Sequence, residues 1–312
     1  MKPRLLLTGA TGFLGRNAAP VLARDYDVRA VSSRDYDLLD RSAVERMFQE
    51  VAPRIVVHLA GRVGGIGANR ARPADFCHEN LLMNTLVIDA AARRGVEKFV
   101  ALVGGCSYPA DAPHPIAESV LWAGYPQVEN APYSTAKRMV VVLLEAYRTQ
   151  YGLESAVAIP GNVYGPFDNF SREGSHVVPA MIRRFHEAAE RGEDTVTCWG
   201  TGAPTRDFLF AGDLVACLGF LIERYEGPEP LNIARGESTR IRDLARIAAE
   251  VTGFTGSIEW DASRPDGQPE KVLDVTRMRN LGLDCPTSLR AGVETTVRWF
   301  REHLGRGGEI RL

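Results

Sequence analysis

The first 160 residues of this 312-residue chain alternate short apolar runs with stretches of helical period, and few folds tolerate that rhythm. Arg4 to Thr8, Asp27 to Val31, Arg54 to Leu59, Lys98 to Val103 and Ser155 to Ile159 read as buried strands. Gly15 to Arg24, Ser42 to Val51, Asn80 to Arg94 and Tyr133 to Tyr151 read as the helices between them. Strands joined through helices imply right-handed crossovers and a parallel sheet covered on both faces. Ligands of such a sheet sit at the carboxyl ends of its strands. The expected fold class is therefore α/β, a Rossmann-type doubly wound parallel sheet.

After Pro160 the texture changes to loops rich in Gly, Pro and Asn, as in residues 160–174, 200–204 and 227–230. A smaller C-terminal α/β substrate-binding domain follows from that. The helix-like stretch Asp213 to Tyr225 and the run Leu231 to Ala234 suit a return to the sheet. The expected division is 1–160 with 205–235 as the dinucleotide-binding domain, and 161–204 with 236–312 as the second.

Composition narrows the function classes. Apolar residues make up 45% of the chain and charged residues 24%, ordinary for a globular protein, and no apolar run approaches a membrane span. Near the N-terminus Thr8-Gly9 cuts off the apolar stretch well short of a secretory signal, so no export is expected. A net charge of -2 and only isolated Arg pairs give no basic field for nucleic acid. The five cysteines are scattered with no C-x-x-C pair, which disfavours a disulfide framework or metal site and suits a reducing cytoplasm.

Directly after the first strand comes Thr8-Gly9-Ala10-Thr11-Gly12-Phe13-Leu14-Gly15, a G-x-x-G-x-x-G run opening a helix. Glycines let backbone N–H groups approach a pyrophosphate, which the helix N-terminus stabilises. Gly9, Thr11, Gly12, Phe13, Leu14 and Gly15 are thus candidate cofactor residues; a plain strand-to-helix turn is the bland alternative. The second strand ends Val31-Ser32-Ser33-Arg34, where an NAD-selective site carries an acid. Ser33 and Arg34 suit the 2′-phosphate of NADP, although Asp35 stands close by.

Tyr133-Ser134-Thr135-Ala136-Lys137 sets a phenol and an ammonium four residues apart on one helix face. The cation is expected to lower the phenol's pKa, so that Tyr133 can protonate a carbonyl oxygen receiving hydride. Alone the pair is weak, since a solvated helix pair looks the same. Only four of the 37 basic residues are lysine, however, so a Lys at this position calls for a reason.

With these motifs on the page the chain resembles the extended short-chain dehydrogenase/reductases, and within them the GDP-L-fucose synthases. The resemblance rests on six further stretches in order. They are residues 63–69 (VGGIGAN) with Pro73-Ala74-Asp75-Phe76, 162–170 (NVYGPFDNF), and Ser175-His176-Val177-Val178-Pro179-Ala180. Then come Trp199-Gly200-Thr201-Gly202, Arg206-Asp207-Phe208, and Arg264-Pro265-Asp266-Gly267 leading to 273–277 (LDVTR). The family converts GDP-4-keto-6-deoxy-mannose to GDP-L-fucose by epimerising carbons 3 and 5, then reducing carbon 4 with NADPH.

The resemblance implies roles for single residues. Inverting the carbons beside a ketone needs a base on one face and an acid on the other, and Cys106 and His176 match the family's pair. Arg184, Trp199, Arg206 and Asp266 match its nucleotide-sugar positions. Leu102, Gly104, Gly105, Lys137, Pro160, Asn162, Val163 and His176 match its remaining cofactor positions. A homodimer through Asn80 to Arg94 and Tyr133 to Tyr151 is also implied.

One position departs from the pattern: where the family carries a Ser that helps the Tyr polarise the carbonyl, this chain has Gly104. If the segment is extended, Ser107 faces the other way and cannot replace it. An unreplaced donor of this kind costs ~3 kcal/mol at the transition state. Two other classes therefore stay open, a redox-neutral NDP-sugar epimerase with tightly held NAD(P) and a non-catalytic NADP-binding protein.

Overall fold

The computed structural model describes residues 1–172, 174–304 and 310. Internal contacts divide the chain into two compact units, Met1–Ala112 with Glu118–Pro160 and Leu214–Ile233, and Pro113–Ala117 with Gly161–Asp213 and Ala234–Leu312. In chain order the elements are β1 (Arg4–Thr8), α1 (Phe13–Leu22), β2 (Asp27–Val31), α2 (Arg41–Val51), β3 (Ile55–His58), α3 (Ile66–Ala71), α4 (Pro73–Arg93), β4 (Lys98–Leu102), α5 (Ala131–Tyr151) and β5 (Glu154–Pro160). There follow β6 (Asn162–Tyr164), α6 (Val177–Arg191), β7 (Thr195–Trp199), β8 (Thr205–Arg206), β9 (Phe208–Phe210), α7 (Ala211–Glu223) and β10 (Leu231–Ile233). Last come β11 (Thr239–Arg240), α8 (Ile241–Thr252), β12 (Ser257–Asp261), β13 (Glu270–Lys271), α9 (Thr276–Asn280) and α10 (Leu289–His303).

The first unit is built on a six-stranded sheet of order β10-β5-β4-β3-β1-β2. Every pairing in it is parallel, as the alternation of strand and helix requires. From β1 the chain steps one way to β2 and the other way to β3, so the strand order reverses there and a crevice opens at the carboxyl ends of β1 and β3. Leu5, Leu6, Leu7, Val56, Val57, Phe99 and Val100 are completely buried along these strands. Each such side chain contributes roughly 2 kcal/mol of transfer free energy.

Two helices begin earlier than periodicity alone implies. α4 starts at Pro73 and α5 at Ala131 with Pro132 in its first turn. Proline's fixed φ suits a first turn, whose N–H groups have no intrahelical partner in any case. α5 then stops where Gly152 adopts φ +71°, a left-handed cap that only glycine takes without strain. Among the described residues no helix is long and apolar enough to cross a membrane.

The second unit holds a parallel pair β6–β9, a parallel pair β7–β12 and a three-stranded sheet β11-β8-β13. Tyr164, Phe170, Ile182, Phe185, Val293 and Phe300 belong to its core. The segment assigned to the first unit is Leu214–Ile233, shorter than the 205–235 span expected. The reason is strand pairing: β8 bonds to β11 and β13, and β9 to β6, all in the second unit, so the boundary falls after Asp213 inside α7.

Candidate active site

The glycine run is shaped by backbone crowding. Gly9 has φ +69°, and a Cβ on it would stand 2.6 Å from the Ala60 nitrogen; a Cβ on Gly15 would fall on the Gly9 carbonyl oxygen. Any larger residue would push the loop off β3 or off α1. Gly12 occupies the N-cap of α1 in extended conformation, with no side chain capping the helix. The first amides of α1, on Phe13, Leu14 and Gly15, are thus left for an anion. That cradle fits a dinucleotide pyrophosphate.

At the end of β2, Asp35 turns back on the chain and accepts hydrogen bonds from the Ser32 amide at 2.8 Å and the Ser32 hydroxyl at 2.7 Å. These bonds hold its carboxyl below the usual range. Ser33 and Arg34 stay exposed beside it. The acid that competes with the 2′-phosphate reading is therefore bonded to Ser32, while the exposed Arg34 guanidinium bonds to no carboxylate among the described residues there.

α5 carries Tyr133 and Lys137 one turn apart. Lys137 is buried, and burial pushes its ammonium down to about 8. Gly61 makes room for it: a Cβ there would lie 4.0 Å from Lys137 Nζ and 3.2 Å from Asn80 Oδ1. Asn80 is itself fixed, donating to the Phe76 and Arg62 carbonyls and accepting from the Arg62 amide. Tyr133 packs edge-on against Phe76 with ring centroids 6.3 Å apart. The direction expected for its phenol is corrected here: burial, reinforced by Cys106, raises it above the ordinary value. Burial and the neighbouring thiol both disfavour a phenolate here, which suits a proton donor.

Below the crevice lies a network that periodicity did not reveal. His58 ends the apolar strand β3, with Nδ1 2.8 Å from Thr8 Oγ1 and Nε2 3.0 Å from Asn84 Oδ1. Burial and the charge of Lys137 push its imidazole down to about 3, so it is neutral at any working pH. A histidine closing the run Ile55-Val56-Val57 was the available signal, since an apolar strand seldom ends on a buried imidazole without polar partners.

After β4, which ends at Leu102, Val103 still donates to the Ala158 carbonyl, and Gly105–Ser107 then coil into a 3₁₀ turn. A Cβ on Gly104 would lie 3.3 Å from Cys106 Sγ and 3.7 Å from Tyr133 Oη. Gly104, Cys106 and Tyr133 are thus brought together. The extended conformation expected through Ser107 is not observed, because the turn folds the Ser107 amide back onto the Gly104 carbonyl at 2.9 Å. Ser107 is completely buried and its hydroxyl donates to the Ser134 carbonyl at 3.3 Å.

In the second unit Arg184, Trp199, Arg206 and Asp266 line one cleft, together with Val177, Ala180, Met181, Cys198 and Ile241. Arg206 donates to the Thr205 carbonyl at 2.7 Å, and burial pushes its guanidinium below the usual value. A partly desolvated cation in a cleft suits an anionic ligand. Trp199 is 67% exposed, with the Arg264 guanidinium 5.4 Å from its ring centre. Asp266 accepts from the Thr201 amide and hydroxyl at 2.6 and 2.7 Å, which holds its carboxyl low. Gly200, at φ +80°, is required here because a Cβ would fall on the Asp266 carboxylate. Arg184 donates to the Thr197 carbonyl at 3.0 Å.

His176 is exposed at the N-cap of α6, the helix that also bears Arg184. Pro160 closes β5, while Asn162 and Val163 lie in β6, where the Asn162 amide donates to the Asp207 carbonyl at 2.7 Å. Among the described residues no cluster of His, Cys, Asp and Glu could hold a metal ion.

Residues 5–234 match the NAD dependent epimerase/dehydratase family. GDP-L-fucose synthase 1 of Arabidopsis thaliana is 42% identical over 86% of this chain and 84% of its own length. GDP-L-fucose synthase of Escherichia coli is 39% identical over 98% of each chain. A crystal structure of a GDP-L-fucose synthetase from Naegleria fowleri bound to NADP superposes with a TM-score of 0.89 at 27% identity, covering 99% of this chain and 96% of that one. The chain belongs to the NAD-dependent epimerase/dehydratase family, among its GDP-L-fucose synthases.

Proposed function

We propose that this chain epimerises carbons 3 and 5 of a GDP-linked 4-keto-6-deoxy sugar and reduces carbon 4, forming GDP-L-fucose. The observation that carries the reading is the meeting of a thiol and a phenol around Gly104, 3.3 and 3.7 Å from one point. Epimerisation needs a base for an acidic C–H, and reduction needs an acid for the carbonyl oxygen; a ketone at that point would be served by both.

Each residue has a definable task. Cys106 takes the proton from a carbon flanking the ketone, and His176 returns one to the opposite face. Tyr133 then gives its proton to the oxygen of carbon 4, and the Lys137 ammonium stabilises the phenolate left behind. NADPH, when bound, supplies the hydride. Gly9, Thr11, Gly12 and the α1 amides of Phe13, Leu14 and Gly15 hold its pyrophosphate, with Ser33 and Arg34 on the 2′-phosphate. Leu102, Gly104, Gly105, Lys137, Pro160, Asn162, Val163 and His176 line the remainder of the dinucleotide. In the second unit Arg206 and Arg184 meet the diphosphate, Trp199 stacks on the base, and Asp266 accepts sugar or base donors.

The same reading places the chain in the cytoplasm as a homodimer formed through α4 and α5. Two side chains of α5, Val142 and Tyr151, are 40% and 46% exposed and would be covered by such an interface.

The test is turnover of GDP-4-keto-6-deoxy-mannose with NADPH in deuterated water. Stoichiometric NADPH oxidation with deuterium entering carbons 3 and 5 is the expected result. A changed sugar without net NADPH oxidation would instead identify a redox-neutral epimerase, and an unchanged sugar would leave only dinucleotide binding.

A further inference from the structure

Arg138 follows Lys137 in α5 and is only 6% exposed. Its guanidinium cannot shed its proton, yet among the described residues it forms no ion pair with a carboxylate. The partners it has are carbonyl oxygens and a ring. Nε donates to the Ser107 carbonyl, Nη1 donates to the Gly124 carbonyl at 2.9 Å, and the guanidinium carbon lies 5.8 Å from the centre of the Trp122 ring. Nη2 is buried with no hydrogen-bond partner. A buried charge left this poorly compensated is destabilising, so its presence points to a task other than stability.

The geometry identifies the task. Ser107 closes the three-residue turn that carries Cys106. Two hydrogen bonds tie that turn to α5, one from the Ser107 hydroxyl to the Ser134 carbonyl and one from Arg138 to the Ser107 carbonyl. Both anchors stand on the helix that bears Tyr133, so they fix where the thiol stands relative to the phenol. The planar fork of Arg138 also reaches Gly124, joining the turn to the segment around Trp122. A lysine could hold only one of these two points in fixed orientation. Burial pushes the Arg138 guanidinium down while Cys106 draws it back up, so the two groups also feel each other electrostatically.

We propose that Arg138 is a positioning residue for epimerisation, clamping the Gly105–Ser107 turn to α5 so that the Cys106 thiol is held at the carbon acid. The proposal rests on the reading of Cys106 as the epimerisation base. It predicts a split between the two halves of the reaction, because proton transfer depends on the turn and hydride transfer depends on Tyr133 and Lys137 within the helix.

The test uses Arg138→Met in the full chain with two readouts. One is solvent deuterium entering carbons 3 and 5 of the keto sugar with NADP⁺ bound. The other is reverse hydride transfer, followed as NADPH formed from GDP-L-fucose and NADP⁺ in a single turnover. Arg138→Met should lower exchange roughly a hundredfold, the scale of an ångström-sized misplacement, and reverse hydride transfer by less than about tenfold. Arg138→Lys keeps the buried cation, guards against a variant that fails to fold, and should show the same selective loss at smaller amplitude. Equal losses in both readouts, or unchanged exchange, would overturn the proposal. Cys106→Ser separates the two ideas: if it abolishes exchange and Arg138→Met does not, only the clamp fails, and if it leaves exchange intact, the Cys106 reading and the clamp fall together.

Discussion

The place where a side chain would begin on Gly104 lies 3.7 Å from the phenol oxygen of Tyr133. On the proposed function, a serine at that position would set its hydroxyl within reach of the carbonyl oxygen that the phenol is expected to protonate. The Cys106 sulfur, at 3.3 Å, stands a little inside ordinary contact distance and must give by a few tenths of an ångström. Gly104→Ser is therefore expected to raise the rate of NADPH oxidation by roughly a hundredfold, the worth of the ~3 kcal/mol that one preorganised donor supplies at a developing oxyanion. Single-turnover absorbance measurements would read it. No gain would mean that a water or a substrate hydroxyl already supplies the bond.

On the proposed function, Lys137 is expected to set the alkaline limit of the hydride step. In that reading its ammonium is the form that would stabilise the Tyr133 phenolate, and burial brings its pKa down to about 8. The sign follows directly: the group is charged and competent below that value and neutral above it. kcat/KM for reduction should fall about tenfold per pH unit once pH passes about 8. Lys137→Met should be slow throughout and show no such descent. A wild-type profile that stays flat to the pH of an ordinary lysine would contradict this assignment.

Cofactor choice is expected to rest on Arg34. With Asp35 bonded to Ser32, the exposed Arg34 guanidinium is the group at the end of β2 that can still pair with a phosphate. Arg34→Ala should weaken NADPH binding by ~1.5 to 3 kcal/mol, the range for a hydrogen bond to a charged partner. NADH binding should be nearly unaffected. Fluorescence titration with both dinucleotides checks this, and equal weakening of the two would place the 2′-phosphate elsewhere.

Much of this architecture is legible in the residues because backbone geometry leaves few alternatives. The run from Gly9 to Gly15 follows β1 directly, and Gly9 and Gly15 sit where a Cβ would meet backbone. The six parallel strands follow from apolar runs spaced by helices. Less legible were features set by tertiary contact. The Tyr133 phenol is raised, not lowered, because burial and the nearby Cys106 thiol both disfavour its phenolate, and no sequence pattern reports how deeply a residue is buried. The 3₁₀ turn at Gly105–Ser107 escaped notice because Val103, Gly104 and Gly105 are compatible with an extended strand end. The unit boundary inside α7 depends on which strands β8 and β9 pair with, a long-range choice.

His58 provides a stability prediction whose sign can be worked out in advance. Its folded pKa is depressed from 6.5 to about 3 by burial and by Lys137. In the unfolded chain it takes up a proton below pH 6.5, whereas the folded chain refuses one until about pH 3, so the unfolded state binds more protons across that window. The stabilisation is fully present above pH 6.5 and is lost progressively as pH falls toward 3. Each pH unit in that window weakens the fold by up to about 1.4 kcal/mol through this one group. His58→Gln can still bond with Thr8 and Asn84 but can never be charged. Urea unfolding between pH 7 and 4 should show the wild type losing stability more steeply than the variant, which starts lower. Parallel slopes would mean that His58 is protonated in the folded chain. That outcome would put a second cation beside Lys137 and would require a counter-charge that neither Thr8 nor Asn84 can supply.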